Sequence, residues 1–234
     1  DPGRVLSDAK LKLLNDAAIA TCWKQGHGLA GDRFIMDPMS CSFDPQVLQC
    51  KAAASDTCLT AGEVETARAF YSGPTTRDGE PSFYGWLPGS EMPDTFGWSF
   101  LQKPVNDQPA FGGLFKWVFG AEWDWRGFDF DRDMPMVDRS LDAIVNDATR
   151  GSLADYAARG GKLIVFHGLA DTLVPPGQSV DFFERHAAQM GGASALAENA
   201  RLFMAPGMMH CGGGTGPDAF NSTLGIPPSS AQAI

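Results

Sequence analysis

Two short apolar runs, separated by a helical stretch and each followed by a histidine, leave this chain few ways to fold at its C-terminal end. Leu163-Ile164-Val165-Phe166 is preceded by Gly160-Gly161 and followed by His167-Gly168, the pattern of a strand covered on both faces. Val180 to Met190 places Val180, Phe183, Ala187 and Met190 on one helical face and stops at Gly191-Gly192. Leu202-Phe203-Met204 is a second buried strand. Strand, helix, strand over so short a stretch is a βαβ unit, and its strands must be parallel. The loops that leave their C-terminal ends then emerge on one edge, where open α/β sheets place their active sites. Asp171 lies in the first of these loops and His210 in the second. A carboxylate and an imidazole far apart in the chain are thereby predicted to be neighbours.

That pair is two-thirds of a hydrolytic triad. A serine hydrolase needs an imidazole to take the serine proton and a carboxylate to fix the tautomer and stabilise the resulting cation. In α/β-hydrolases the chain order is Ser, Asp, His, and Asp171 and His210 keep that order. The nucleophile is missing: no Gly-x-Ser-x-Gly elbow precedes Asp171, and Ser42 is followed by Phe43-Asp44-Pro45, which cannot form one. Each residue also has a plainer reading, Asp171 as a turn residue before Pro175-Pro176 and His210 as a loop histidine. His167, between a buried strand and Gly168, reads as a hydrogen-bonded core histidine rather than a second base. His186, beside Arg185, is expected on the solvent face of its helix, and His27 sits in a glycine-rich loop.

The 234 residues can bury a sizeable core, and a net charge of −10 argues against nucleic acid or an anionic membrane as partner. No run approaches the roughly 20 apolar residues that cross a bilayer, and the N-terminus lacks the layout of a signal peptide, so the expectation is that any such segment has already been removed or never belonged here. Cys22, Cys41, Cys50 and Cys58 cluster in a loop-rich stretch. They suit two disulfides, hence an exported protein, better than zinc, whose sites use shorter Cys-x2-4-Cys spacing. Cys211 is left odd, which suggests a partner outside this chain.

Ahead of the βαβ unit, Ser7 caps a helix to Cys22 with Leu11, Leu14, Ala18 and Ile19 on one face. Thr60 and Glu63 form a capping box for a helix that carries Val64, Ala67 and Phe70 inward and ends at Gly73. Val137 to Ala148 is predicted to be a helix that buries Leu141, Ile144 and Val145. Between Phe83 and Phe130 lie many aromatics and little periodicity. Most suit the core of an irregular domain; Phe119, Trp123 and Trp125 are the first candidates to line an aromatic acyl pocket by stacking on a phenolic or phthalic ring.

Several of these stretches together resemble the tannase/feruloyl esterase family of α/β-hydrolases, which includes bacterial hydrolases of mono(2-hydroxyethyl) terephthalate. The strongest are Gly160-Gly161-Lys162 leading to His167-Gly168 and Asp171, and Pro206-Gly207-Met208-Met209-His210-Cys211. Weaker ones are Asp37-Pro38 with Cys41, Phe43-Asp44-Pro45 and Cys50, and Phe128-Asp129-Phe130-Asp131-Arg132-Asp133. The resemblance implies an α/β fold: the C-terminal part of an α/β-hydrolase sheet plus an irregular, aromatic-rich lid domain. Residues 1–150 would be the lid, inserted in the hydrolase fold, and residues 151–234 the segment carrying Asp171 and His210. It implies Cys22–Cys41 and Cys50–Cys58 disulfides in the lid. It pairs Cys211 with the cysteine before the nucleophilic serine, in an N-terminal half that this chain does not contain; some fungal members are cut into two disulfide-linked chains.

The function implied is a secreted or periplasmic carboxylic ester hydrolase acting on esters of aromatic acids, with a small aromatic ester as substrate. A catalytically inactive fragment with a binding or structural role is the alternative. Family members carry a calcium loop after the first lid cysteine. Here Trp23 to Pro38 contains Lys24 and keeps only Asp32 and Asp37, so the expectation is weak calcium binding or none, and no cofactor. After Phe220 the family continues into a helix, whereas this sequence runs through Pro227-Pro228.

Overall fold

The computed structural model describes residues 2–91, 97–102, 109, 112–145 and 153–217. Phe96, Phe111, the expected helix end at 146–148 and the stretch from 218 onward lie outside them. Within these residues the α-helices and strands follow in the order α1 (Asp8–Lys24), α2 (Ala61–Ser72), α3 (Trp98–Gln102), α4 (Lys116–Phe119), α5 (Phe130–Val145), α6 (Leu153–Ala158), β1 (Leu163–Gly168), α7 (Gly177–Met190), α8 (Ala193–Ala197) and β2 (Ala200–Ala205).

The front part is built on α1 and α2. Ser7 caps α1 by accepting from the Lys10 N–H, and Thr60 and Glu63 close a full capping box on α2. Leu6, Leu11, Leu14, Leu59, Val64, Ala67 and Trp98 form one buried cluster, with Phe43, Leu48, Phe70, Tyr71 and Trp86 packed on it. Each buried leucine contributes roughly 2 kcal/mol. Trp98 stacks on Phe70 with ring centroids 4.4 Å apart, and its indole N–H donates to Ser90 Oγ at 3.1 Å. Across the two helices Lys10 Nζ donates to both oxygens of Glu63 at 2.8 and 2.7 Å. Burial disfavours the charged Glu63, but the Lys10 and Thr60 donors outweigh it and hold the carboxyl below its ordinary range.

Disulfides join Cys22 to Cys41 and Cys50 to Cys58. The first ties the end of α1 to the following loop, where Ala18, Cys22 and Ile35 form a second small cluster.

Helix α5 starts at Phe130, earlier than the apolar spacing indicates. Asp129 Oδ1 accepts from the Arg132 N–H at 3.1 Å and Asp133 Oδ2 accepts from the Asp129 N–H at 2.9 Å, a reciprocal cap that begins the helix ahead of its apolar part. Ile144 does not lie on a buried side: it is 80% exposed, because no described residue covers that end of the helix.

β1 and β2 pair in parallel, with Leu163 opposite Ala200 and Gly168 opposite Ala205. Expected cover on both faces is found on one only: Ile164 is 73% exposed and Phe203 52%. Alternate residues therefore face a layer that the described residues do not supply. His186, expected in solvent, is buried, with its ring against Phe182 at 4.4 Å. Helix α7 is covered along more of its girth than its apolar stripe suggests, since α6, α8 and β2 all pack on it.

Candidate active site

The two loops after β1 and β2 are stitched together by backbone. The Leu169 N–H donates to the Ala205 carbonyl at 2.9 Å, and the Ala170 N–H to the Met208 carbonyl at 2.9 Å. Gly168 permits that approach, because a β-carbon there would sit 2.2 Å from the Met208 carbonyl oxygen. The His-Gly dipeptide thus ends the strand where the second loop crosses it.

Asp171 turns its own loop into a cradle. Its Oδ1 accepts from the backbone N–H groups of Leu173 at 2.8 Å and Val174 at 2.9 Å, an Asx-type turn. The other oxygen, Oδ2, lies 3.0 Å from His210 Nδ1 and 3.2 Å from His167 Nε2. Asp171 is 3% exposed. Burial works against its ionisation, but the hydrogen bonds from His167, Val174, Leu173 and His210 outweigh it and hold the carboxyl below the usual range. An ionised carboxylate only accepts, so His210 Nδ1 carries the proton, and Nε2 is left as the basic nitrogen. Among the described residues nothing hydrogen-bonds that Nε2, and the His210 side chain is 39% exposed. A buried anion thus fixes an accessible imidazole in the tautomer suited to a general base.

The His210 loop is held open by unusual backbone. Cys211 has φ +59°, which costs a residue with a β-carbon about 1 kcal/mol or more. Gly212, Gly213 and Gly214 follow with positive φ, and the Met209 N–H donates to the Gly213 carbonyl. Cys211 itself is exposed and unpaired among the described residues. A cavity of about 230 Å³ is lined by Phe166, His167, Gly168, Asp171, Val174, Met208, His210 and Cys211.

The aromatic-rich part reaches the same edge through several contacts. Trp86 Nε1 donates to the Thr172 carbonyl at 2.8 Å. Thr215 Oγ1 donates to the Arg33 carbonyl at 2.8 Å. Phe34 lies over Gly207, where a β-carbon would meet it at 2.5 Å. Phe119, Trp123 and Trp125 do not line the His210 cavity. Phe119 and Trp123 stack at 5.6 Å and pack with Phe115 and Phe128, and Trp125 lies under the Arg126 guanidinium at 4.9 Å. Asp32 Oδ2 accepts from the Leu29 N–H and Asp37 Oδ1 from the Ser40 N–H, each closing its own turn. Among the described residues no group of three or more His, Cys, Asp or Glu is gathered to hold a metal. Sequence reasoning missed the contact of His167 with Asp171, although a spacing of four residues around a Gly turn marks the two as neighbours.

The sequence profile of tannase and feruloyl esterase matches residues 1–226. An uncharacterized esterase of Xanthomonas campestris pv. campestris is 34% identical over 253 aligned residues, covering 97% of this chain and 43% of that protein. The mono(2-hydroxyethyl) terephthalate hydrolase of Piscinibacter sakaiensis is 30% identical, covering 92% of this chain and 42% of the hydrolase. The crystal structure of feruloyl esterase B from Aspergillus oryzae superposes with a TM-score of 0.79 at 25% identity, over 93% of this chain and 43% of that one. The chain therefore spans less than half the length of the relatives it matches.

Proposed function

The chain belongs to the tannase and feruloyl esterase family, and we propose that it is the lid and acid–base portion of a serine-type carboxylic ester hydrolase. The observation that carries this reading is the Asp171 Oδ2 to His210 Nδ1 contact at 3.0 Å, with Nε2 left for a proton. In the proposed reaction His210 Nε2 takes the proton of a serine hydroxyl as that oxygen attacks the ester carbonyl. Asp171 stabilises the imidazolium, and His210 then returns the proton to the leaving alcohol; in the second half it activates water in the same way.

The serine and the oxyanion donors belong, in this reading, to an N-terminal portion that pairs with the chain. Three observations support such a partner: the exposed apolar residues Ile164 and Phe203 on the open sheet face, the unpaired and exposed Cys211 beside His210, and the coverage of less than half of each relative. Cys211 is assigned to a disulfide with a cysteine of that portion. Residues 1–150 are assigned to the lid and 151–234 to the hydrolase segment. Two disulfides favour an oxidising compartment, secreted or periplasmic. Among the described residues no helix is long and apolar enough to cross a membrane.

The proposed substrates are small esters of phenolic or phthalic acids, a class matching the names of the relatives; Phe119, Trp123 and Trp125, which lie outside the lining of the His210 cavity, are proposed to stack on an acyl ring that extends beyond it. The loop from Trp23 to Pro38 is assigned a calcium-independent role. The test is turnover of a chromogenic feruloyl or terephthaloyl ester by the chain assembled with its serine-bearing portion. Turnover that disappears in His210→Ala supports the reading; turnover that survives it refutes it.

A further inference from the structure

His167 is bonded on both sides of its ring. Nδ1 lies 2.7 Å from Ser179 Oγ, and Nε2 lies 3.0 Å from the Val174 carbonyl and 3.2 Å from Asp171 Oδ2. Both partners of Nε2 only accept, so Nε2 bears the proton and shares it between them. In the neutral ring Nδ1 then accepts from the Ser179 hydroxyl, which sits in the first turn of α7. The chain Ser179–His167–Asp171–His210 is continuous, and its inner members are buried: His167 is 9% exposed and Asp171 3%.

Each carboxylate oxygen of Asp171 has its own anchor. The two backbone N–H groups fix Oδ1. Among the described residues Oδ2 has only imidazole donors, and of these His210 is open to solvent while His167 is not. The exposed His210 ring is free to exchange its bond to Oδ2 for one to solvent, whereas the buried His167 ring is not, so His167 is the partner that sets where this oxygen sits. We infer that His167, braced by Ser179, is a positioning residue that aims the Asp171 carboxylate at His210. Its role is exerted through Asp171 rather than on the proton in flight. The inference rests on the esterase reading for its catalytic consequence, but the bracing itself is a property of this chain.

The test uses selectively labelled histidines and reads the His210 Nδ1–H proton, a signal seen only when that hydrogen is held out of exchange with water. In His167→Leu the signal is expected to broaden or vanish while the fold is kept, as judged by far-ultraviolet circular dichroism. In His167→Gln, whose carboxamide N–H can occupy the place of Nε2–H, it is expected to return. Ser179→Ala, which removes the brace and is far milder for folding, is expected to speed exchange of the same proton. In the assembled esterase His167→Leu should lower kcat roughly 10- to 100-fold, with KM little changed. A folded His167→Leu chain with the His210 Nδ1–H signal unchanged, or Ser179→Ala exchanging at the parent rate, overturns the inference. An assembled parent protein without ester turnover would refute the esterase reading instead, and the response of the proton signal would still decide the bracing.

Discussion

Asp171 is the residue on which the largest single effects should fall. Asp171→Asn keeps the shape of the side chain but cannot stabilise an imidazolium at His210, so kcat of the assembled esterase should drop by about 10³ to 10⁴. Steady-state kinetics would check this, and a loss below tenfold would remove Asp171 from the mechanism. The same residue predicts a pH effect in this chain alone. Its folded carboxyl titrates below the ordinary value of about 3.9. The stability it confers is therefore present above about pH 4 and is lost as pH falls through the lower folded value. Thermal melts as a function of pH should show Asp171→Asn less sensitive to acid than the parent chain. Gly168 makes a steric prediction: Gly168→Ala forces a β-carbon against the Met208 carbonyl and should destabilise the fold by about 1–3 kcal/mol, measured by urea unfolding.

Among the elements, the βαβ unit was legible in the sequence because each signal in it is local. Apolar runs, glycines at helix ends and two loop residues suffice to place β1, α7, β2, Asp171 and His210 on one edge. The capping box at Thr60 and Glu63 was readable for the same reason. What stayed hidden depends on partners distant in the chain. The outer face of β1 is as apolar as a covered strand, yet Ile164 is exposed because the layer that would cover it is not among the described residues. His186 looked solvent-facing by its neighbour Arg185, but α6, α8 and β2 enclose α7. Helix α8 was not foreseen, since Ala193-Ser194-Ala195 carries no amphipathic stripe. Asp129 belongs to one of the stretches that carry the family resemblance, and its work as the cap of α5 requires Asp133 to reach back to it.

One buried network in the front part was likewise invisible. Glu91 is fully buried and accepts from Asn15 Nδ2, the Gly89 N–H and the Tyr71 hydroxyl. Burial pushes its carboxyl above the usual range, with those donors working the other way. Glu91→Ala leaves three donors without their acceptor and should cost about 2–4 kcal/mol, seen as a lower unfolding midpoint. The loop from Trp23 to Pro38 gives a contrasting expectation: with Asp32 and Asp37 committed to their own turns, a calcium chelator should leave the melting temperature unchanged. A fall on chelation would contradict the assignment of that loop.

For the whole molecule, the proposed reading gives this chain the proton-handling part of a hydrolytic site and a lid over it, with the attacking hydroxyl supplied from an N-terminal portion. Cys211 next to His210 and the bare outer face of β1 are the two seams at which the halves would meet. Fluorophosphonate labelling of the protein in its assembled form, followed by peptide mass spectrometry, tests this most directly. The expected result is one labelled serine, on the portion that precedes this chain, with labelling suppressed in His210→Ala. A labelled serine within residues 1–234, or labelling indifferent to His210→Ala, would contradict it.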